Sequence, residues 1–231
     1  MKTIGLIGGM SWESSLEYYR IINEMVKAEL GGYHSAQCIL YSVNFAEIEN
    51  LQRQGKWDTA GWILAGAAKS LEKGGADCIL LCTNTMHKVA DDIQASINIP
   101  FLHVVDAAAQ RVKEAGICKV GLLGTRFTME EDFYIHRLTH QHGLGVLVPD
   151  AQGRELVHRI IFDELVLGKI RRSSREKYLA VIAQLTAQGA EGIILGCTEI
   201  GLLVRPQDCQ LPLFDTARIH AEAAVAFALK S

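Results

Sequence analysis

Three segments in the first half of this 231-residue chain recur, in the same order, in its second half. Ile4-Gly5-Leu6-Ile7-Gly8 resembles Val120-Gly121-Leu122-Leu123-Gly124, at an offset of 116. Leu71 to Asp77 followed by Ile79-Leu80-Leu81-Cys82-Thr83 resembles Leu185 to Glu191 followed by Ile193-Ile194-Leu195-Gly196-Cys197-Thr198, at an offset of 114. Pro100-Phe101-Leu102 leads to Asp106 as Pro212-Leu213-Phe214, at an offset of 112, leads to Asp215. One such match arises by chance among α/β units; three in register imply two homologous halves. The alignment slips by one residue at the cysteines, where Cys82 aligns with Gly196, next to Cys197.

Short apolar runs alternate with longer helical patterns. The expected strands are Thr3 to Ile7, Gln37 to Val43, Cys78 to Leu81, Pro100 to His103, Val120 to Leu123, Gly145 to Val148, Gly192 to Leu195 and Leu211 to Phe214. A helix from Glu13 to Leu30 is expected to put Leu16, Tyr19, Ile22 and Val26 on one face, with Ser11 as its N-cap and Gly31-Gly32 as its stop. Asp58, Asp106 and Asp215 are expected to cap the helices that follow them. Strand-helix alternation implies an α/β chain with parallel sheets covered by helices. The expected division gives a first lobe of residues 1–105 plus 212–231, with the closing helix Ala217 to Leu229 returning to it, and a second lobe of residues 106–211.

Composition excludes several classes of function. The formal charge is -3, from 23 basic and 26 acidic residues, so no clustered basic face is expected and no nucleic-acid partner. Lys169, Arg171 and Arg172 lie beside Asp163 and Glu164 and read as a solvated helix end. No run of about 18 apolar residues offers a membrane span. The opening MKTIGLIGG runs into Ser11-Trp12-Glu13-Ser14 without the pattern of a signal peptide, so a cytoplasmic location is expected. The six cysteines include no CxxC pair, and with the histidines they show no dense ligand spacing; free thiols and no zinc site are expected. Cys38, Cys78, Cys118 and Cys209 lack polar motifs and read as buried packing residues or incidentally exposed thiols. Tyr18, Tyr19, Tyr134 and Trp62, on helical faces, read as packing residues.

In open parallel sheets, ligands bind beyond the carboxyl ends of the strands. The repeat predicts four polar clusters at such ends: Gly8-Gly9-Met10-Ser11, Cys82-Thr83-Asn84-Thr85, Gly124-Thr125 and Cys197-Thr198-Glu199. Two halves facing each other would each present one cysteine to a shared cleft. Inverting a stereocentre by proton transfer requires one group to remove a proton from one face and another to deliver one to the other; two groups of matched pKa suit this. A thiol serves in either role. The hydroxyl and amide side chains after each cysteine, with free N–H groups at helix starts, can hold a carboxylate and the charge that develops on it. His87 could tune the first thiol or satisfy a helix face, and Glu199 could orient the second or cap the following turn. Gly8-Gly9 does not have the GxGxxG spacing, so it reads as a turn or a carboxylate site rather than a dinucleotide site.

Cys82-Thr83-Asn84-Thr85-Met86-His87 and Gly196-Cys197-Thr198-Glu199-Ile200 resemble the paired signatures of the aspartate/glutamate racemase family. Ile4 to Trp12 and the closing Phe214-Asp215-Thr216 are similar to that family too, so the resemblance covers essentially the whole chain. It implies two pseudo-symmetric lobes, each a roughly four-stranded parallel sheet flanked by helices, with the active site in the cleft. It implies an amino-acid racemase with Cys82 and Cys197 as its acid/base groups, no pyridoxal phosphate, no metal, a small amino-acid substrate and a homodimer. It further implies that Asn84, Thr85, Thr125 and Thr198 ligate the substrate carboxylate, with Met10 and Gln52 near the substrate. Acid-selective members carry a lysine where this chain has Val166, so a broad substrate range is expected.

Other readings stay open at this stage. The same scaffold could support hydantoin racemisation, another isomerisation or a decarboxylation; a strict aspartate or glutamate racemase is the nearest alternative. A thiol hydrolase would leave one cysteine dispensable and give a burst of acyl-enzyme. A two-lobed ligand-binding protein without chemistry would not turn its ligand over.

Overall fold

The apolar runs become strands, and the strands sort into two sheets of the same topology. In the computed structural model, which describes residues 1–230, β1 (Ile4–Gly8), β2 (Cys38–Ser42), β3 (Cys78–Leu81) and β4 (Phe101–Leu102) form one parallel sheet in the order β2-β1-β3-β4. β5 (Lys119–Gly124), β6 (Gly145–Leu147), β7 (Gly192–Gly196) and β8 (Leu213–Asp215) form the other, in the order β6-β5-β7-β8. β1, β3 and β7 are buried at every residue, which is why they read as unbroken apolar runs rather than as alternation.

The duplication extends to individual hydrogen bonds. The Asp77 carboxylate accepts from the Thr3 amide at 2.6 Å, while the Asp77 amide donates to the Thr3 carbonyl. Glu191 does the same with Lys119, its carboxylate accepting at 3.0 Å and its amide donating at 2.8 Å. The Cys118 and Lys119 amides hold the Glu191 carboxyl below its ordinary range. The repeated glycines share one cause as well. A Cβ at Gly5 would stand 2.8 Å from Ile79 Cδ1, and one at Gly121 would stand 2.7 Å from Ile193 Cδ1.

The chain divides into two units, residues 1–104 with the chain from 220 onward, and residues 105–219. Residues 212–219 therefore belong with the second unit and not with the first. The reason is backbone pairing: β8 runs beside β7 from Ile193↔Leu213 to Leu195↔Asp215. The division falls inside the closing helix Thr216–Leu229, whose later residues return to the first unit, where the Lys2 amide donates to the Ala228 carbonyl at 2.9 Å.

The first helix, Trp12–Leu30, is capped by Ser11 as expected, but its buried face is Ser14, Ser15, Tyr18, Ile21, Ile22 and Val26. Leu16 and Tyr19 are 57% and 50% exposed. Helical period alone allowed two apolar stripes; the serines are buried because their hydroxyls have partners at the ends of β1 and β3. Tyr18 and Tyr134 are fully buried, whereas Trp62 is largely exposed. Helices Trp57–Lys73 and Val104–Glu114 start before Asp58 and Asp106, leaving both carboxylates in the first turn, where they face the positive helix end. Asp106 is held there by Arg137 at 2.6 and 2.7 Å and by His142. Asp215 does cap its helix, accepting from the Ala217 and Arg218 amides. Arg171 and Arg172 pair with Glu164 and Glu176 at the surface. Among the described residues no helix is long and apolar enough to cross a membrane, and no group of three or more His, Cys, Asp or Glu is placed to hold a metal.

Candidate active site

In the first unit, the chain leaves β1 through Gly9, whose φ of +91° needs a residue without a side chain, and passes Met10 to reach the Ser11 cap. The Gly9 amide donates to Ser15 Oγ at 2.7 Å, and Ser14 Oγ donates to the Cys82 carbonyl at 2.7 Å. The Cys82 amide donates to the Ile7 carbonyl, so Cys82 is the last residue of this strand path held by the sheet ladder. Its side chain is wholly buried, and burial pushes its thiol well above the ordinary range. Thr83, the next residue, is part-exposed, while Asn84, Thr85 and His87 are buried. Gln52, near the end of helix Phe45–Arg53, donates to Met86 Sδ at 2.9 Å, and Met10 and Met86 belong to one buried cluster. The expected residues of this half thus collect at the carboxyl end of its sheet.

In the second unit, Thr125 follows β5 and caps the short helix Arg126–Glu130, accepting from the Thr128 amide and bonding the Thr128 hydroxyl. Cys197 follows β7. Its thiol donates to Glu199 Oε2 at 3.0 Å, and the Thr198 hydroxyl donates to the same oxygen at 2.8 Å. Cys197, the donor in its bond to Glu199, rests as the thiol. Burial and the adjacent Glu199 charge both push that thiol well above its ordinary range. The Glu199 side chain thus meets Cys197 and Thr198 and makes no cap bond to the helix Ile200–Leu203.

Strand register assigns equivalent positions. β5 and β7 pair Gly124 with Gly196. β1 and β3 pair from Ile4↔Cys78 to Ile7↔Leu81, so the next step sets Cys82 opposite Gly8. Gly8 and Gly124 are repeat equivalents. Cys82 thus stands where the second unit has Gly196, and Thr83 stands where it has Cys197. The slip noticed in the sequence is a real displacement of the two sulfurs in register. Ser14, Ser15 and Thr128, which brace the strand ends, had no motif to announce them; their one signal was small polar residues on buried helical faces.

The surroundings of the thiols set an order of reactivity. Burial raises Cys38 to about 11 and Cys78 to about 12, whereas Cys118 is exposed. Labelling the native protein with a maleimide near neutral pH, read by mass spectrometry, should therefore modify Cys118 first and Cys78, Cys82 and Cys197 last. Prior modification of Cys197 would show that its strand end opens in solution.

The Asp/Glu/hydantoin racemase family model matches residues 7–224. The chain belongs to that family. A candidate Asp/Glu racemase from Yersinia pestis is 59% identical over the whole of both chains, with a TM-score of 0.94. An aspartate racemase homologue from Pyrococcus horikoshii OT3 is 38% identical over the whole of both chains, with a TM-score of 0.88. The broad specificity amino-acid racemase RacX of Bacillus subtilis is 25% identical over 170 residues, which span 71% of this chain and 69% of that protein.

Proposed function

We propose that this protein is an amino-acid racemase, an isomerase that inverts the α-carbon by proton transfer alone, with neither pyridoxal phosphate nor metal. The observation that carries the proposal is a buried thiol, Cys197, hydrogen-bonded to Glu199 at the end of β7 in a chain of this family. A thiol so held is a proton donor at rest, ready for one face of a carbanion-like α-carbon. The other face needs a base from the first unit, and the chemistry of the side chains points to Cys82. Asn84, Thr85, Thr125 and Thr198 are the proposed holders of the substrate carboxylate, with Met10 and Gln52 beside the rest of the substrate. Val166, packed against the core of the second unit, leaves that position without a cation for an acidic side chain, which supports a broad range of substrates. A homodimer working in the cytoplasm completes the reading by family resemblance.

The test is incubation of single-enantiomer aspartate, glutamate, homoserine, methionine and lysine in deuterated buffer, read by chirality and mass. Inversion with deuterium entering the α-carbon is expected, and neutral substrates should rival aspartate. An aspartate preference of about a thousandfold, beyond what contacts worth about 1–3 kcal/mol supply, would overturn the broad range. No exchange on any amino acid would overturn the racemase.

A second reading of the first-unit partner is favoured by the register. Thr83, part-exposed and equivalent to Cys197, would take the place of the fully buried Cys82. Because enantiomers have equal free energy in solution, a weak hydroxyl base slows both directions equally in kcat/KM. It shows instead as fast deuterium exchange on one enantiomer, the one whose α-proton faces Cys197. Cys82→Ala and Thr83→Ala separate the readings: whichever residue moves the proton should cost about 10²–10⁴-fold when removed.

A further inference from the structure

We infer that His87 is a positioning residue that, as a neutral imidazole with its proton on Nδ1, clamps the Thr83 carbonyl and so sets the loop Thr83-Asn84-Thr85 after β3. The inference deepens the racemase reading and rests on it for one of its two tests. The partners decide the tautomer. Nδ1 lies 2.8 Å from the Thr83 carbonyl oxygen, which can only accept, so Nδ1 carries a hydrogen. Nε2 lies 3.2 Å from the Val104 amide, which can only donate, so Nε2 offers its lone pair. The one ring thus ties the loop after β3 to the first residue of helix Val104–Glu114.

The ring has little room to turn. His87 is buried, with ring centroids 4.6 Å from His103, 5.5 Å from Phe101 and 5.9 Å from His220. His220 is held at both ring nitrogens as well. Its Nε2 donates to the Leu102 carbonyl at 2.6 Å, and its Nδ1 shares a hydrogen bond of 2.9 Å with the Tyr18 hydroxyl. Two successive carbonyls of the loop are therefore each held by a side chain, Cys82 by Ser14 and Thr83 by His87. Between them the peptide planes are set, and with them the directions in which Thr83 and Asn84 leave the backbone.

Two variants divide the clamp. Asparagine places an amide N–H near the position of Nδ1, and glutamine places a carbonyl oxygen near that of Nε2. His87→Asn should keep kcat/KM within about threefold, while His87→Gln should lose about 10- to 100-fold by releasing the loop. A residue that merely fills space would show no such order. In parallel, ¹⁵N NMR of the histidine-labelled wild-type protein should show His87 as the neutral Nδ1–H tautomer. An Nε2–H tautomer, or equal activity in the two variants, overturns the clamp. If wild type turns over no amino acid, or if neither variant folds, the NMR result alone decides it. In the former case the racemase reading has failed separately.

Discussion

Cys197→Ala is expected to abolish racemisation, with a loss of at least about 10²–10⁴-fold in kcat/KM, because it removes one of the two groups that exchange protons with the α-carbon. The substitution should leave the fold in place. It deletes a single buried heavy atom, worth about 1 kcal/mol of burial, and Glu199 keeps the Thr198 hydroxyl as a donor. The thermal midpoint should therefore fall by only a few degrees. Cys197→Ser refines the point. A hydroxyl can restore the hydrogen bond to Glu199 but is a poor base, so stability should return and racemisation should not. Deuterium should still enter the enantiomer served by the first-unit group, at a rate that reports how good a base that group is. The pH profile carries a sign as well. Burial and Glu199 raise the Cys197 thiol, and because the enantiomers have equal free energy the two directions share one kcat/KM profile. Each direction needs one of the two acid/base groups deprotonated, so kcat/KM should rise together in both as pH climbs through the ordinary thiol range. Full two-way racemisation by Cys197→Ala would remove this residue from the chemistry, and with it the argument from Glu199.

Gly9→Ala should be the most damaging single methyl group that can be added near the site. A Cβ there would stand 2.2 Å from the Val43 carbonyl oxygen and 2.7 Å from the Val43 nitrogen, both backbone atoms that cannot swing aside. The φ of +91° adds the strain of the left-handed region. Overpacking of about 1–3 kcal/mol and backbone strain of about 1–2 kcal/mol together predict a loss of about 3 kcal/mol or more. For a chain of this size that lowers the thermal midpoint by roughly 10 °C. Gly143→Ala is the control. Its φ is +69°, yet nothing lies within 4 Å of the new methyl, so only the strain of about 1–2 kcal/mol should appear. Equal losses at the two positions would mean that the turn between β1 and the Ser11 cap relaxes in solution.

Much of this protein was written in short-range signals. Unbroken apolar runs announced the central strands because parallel strands are buried on both faces. The Ser11 cap was legible from its place ahead of a helical period. The repeat carried the most: matching segments at offsets of 116, 114 and 112 foretold two parallel sheets, later found with equivalent strand orders. Even the one-residue slip at the cysteines was visible as a misalignment.

What the tertiary structure decided lies in contacts between residues far apart in the chain. Two stripes of the first helix were equally periodic, and Ser14 rather than Leu16 is buried because its hydroxyl reaches the Cys82 carbonyl, 68 residues away. The point at which the chain returns to the first unit moved from 212 to 220 because β8 pairs with β7, a partner no local pattern names. Asp106 looked like a cap and is instead the anchor of Arg137 and His142. Cys82 and Cys197 looked alike as thiols after apolar strands. Register sets Cys82 one position earlier, on its own sheet ladder, and makes Thr83 the repeat equivalent of Cys197. Periodicity and capping act within a few residues and can be read from order alone. Which oxygen holds a thiol, and which side chain shares its register, depends on the closing of loops that only the folded chain specifies.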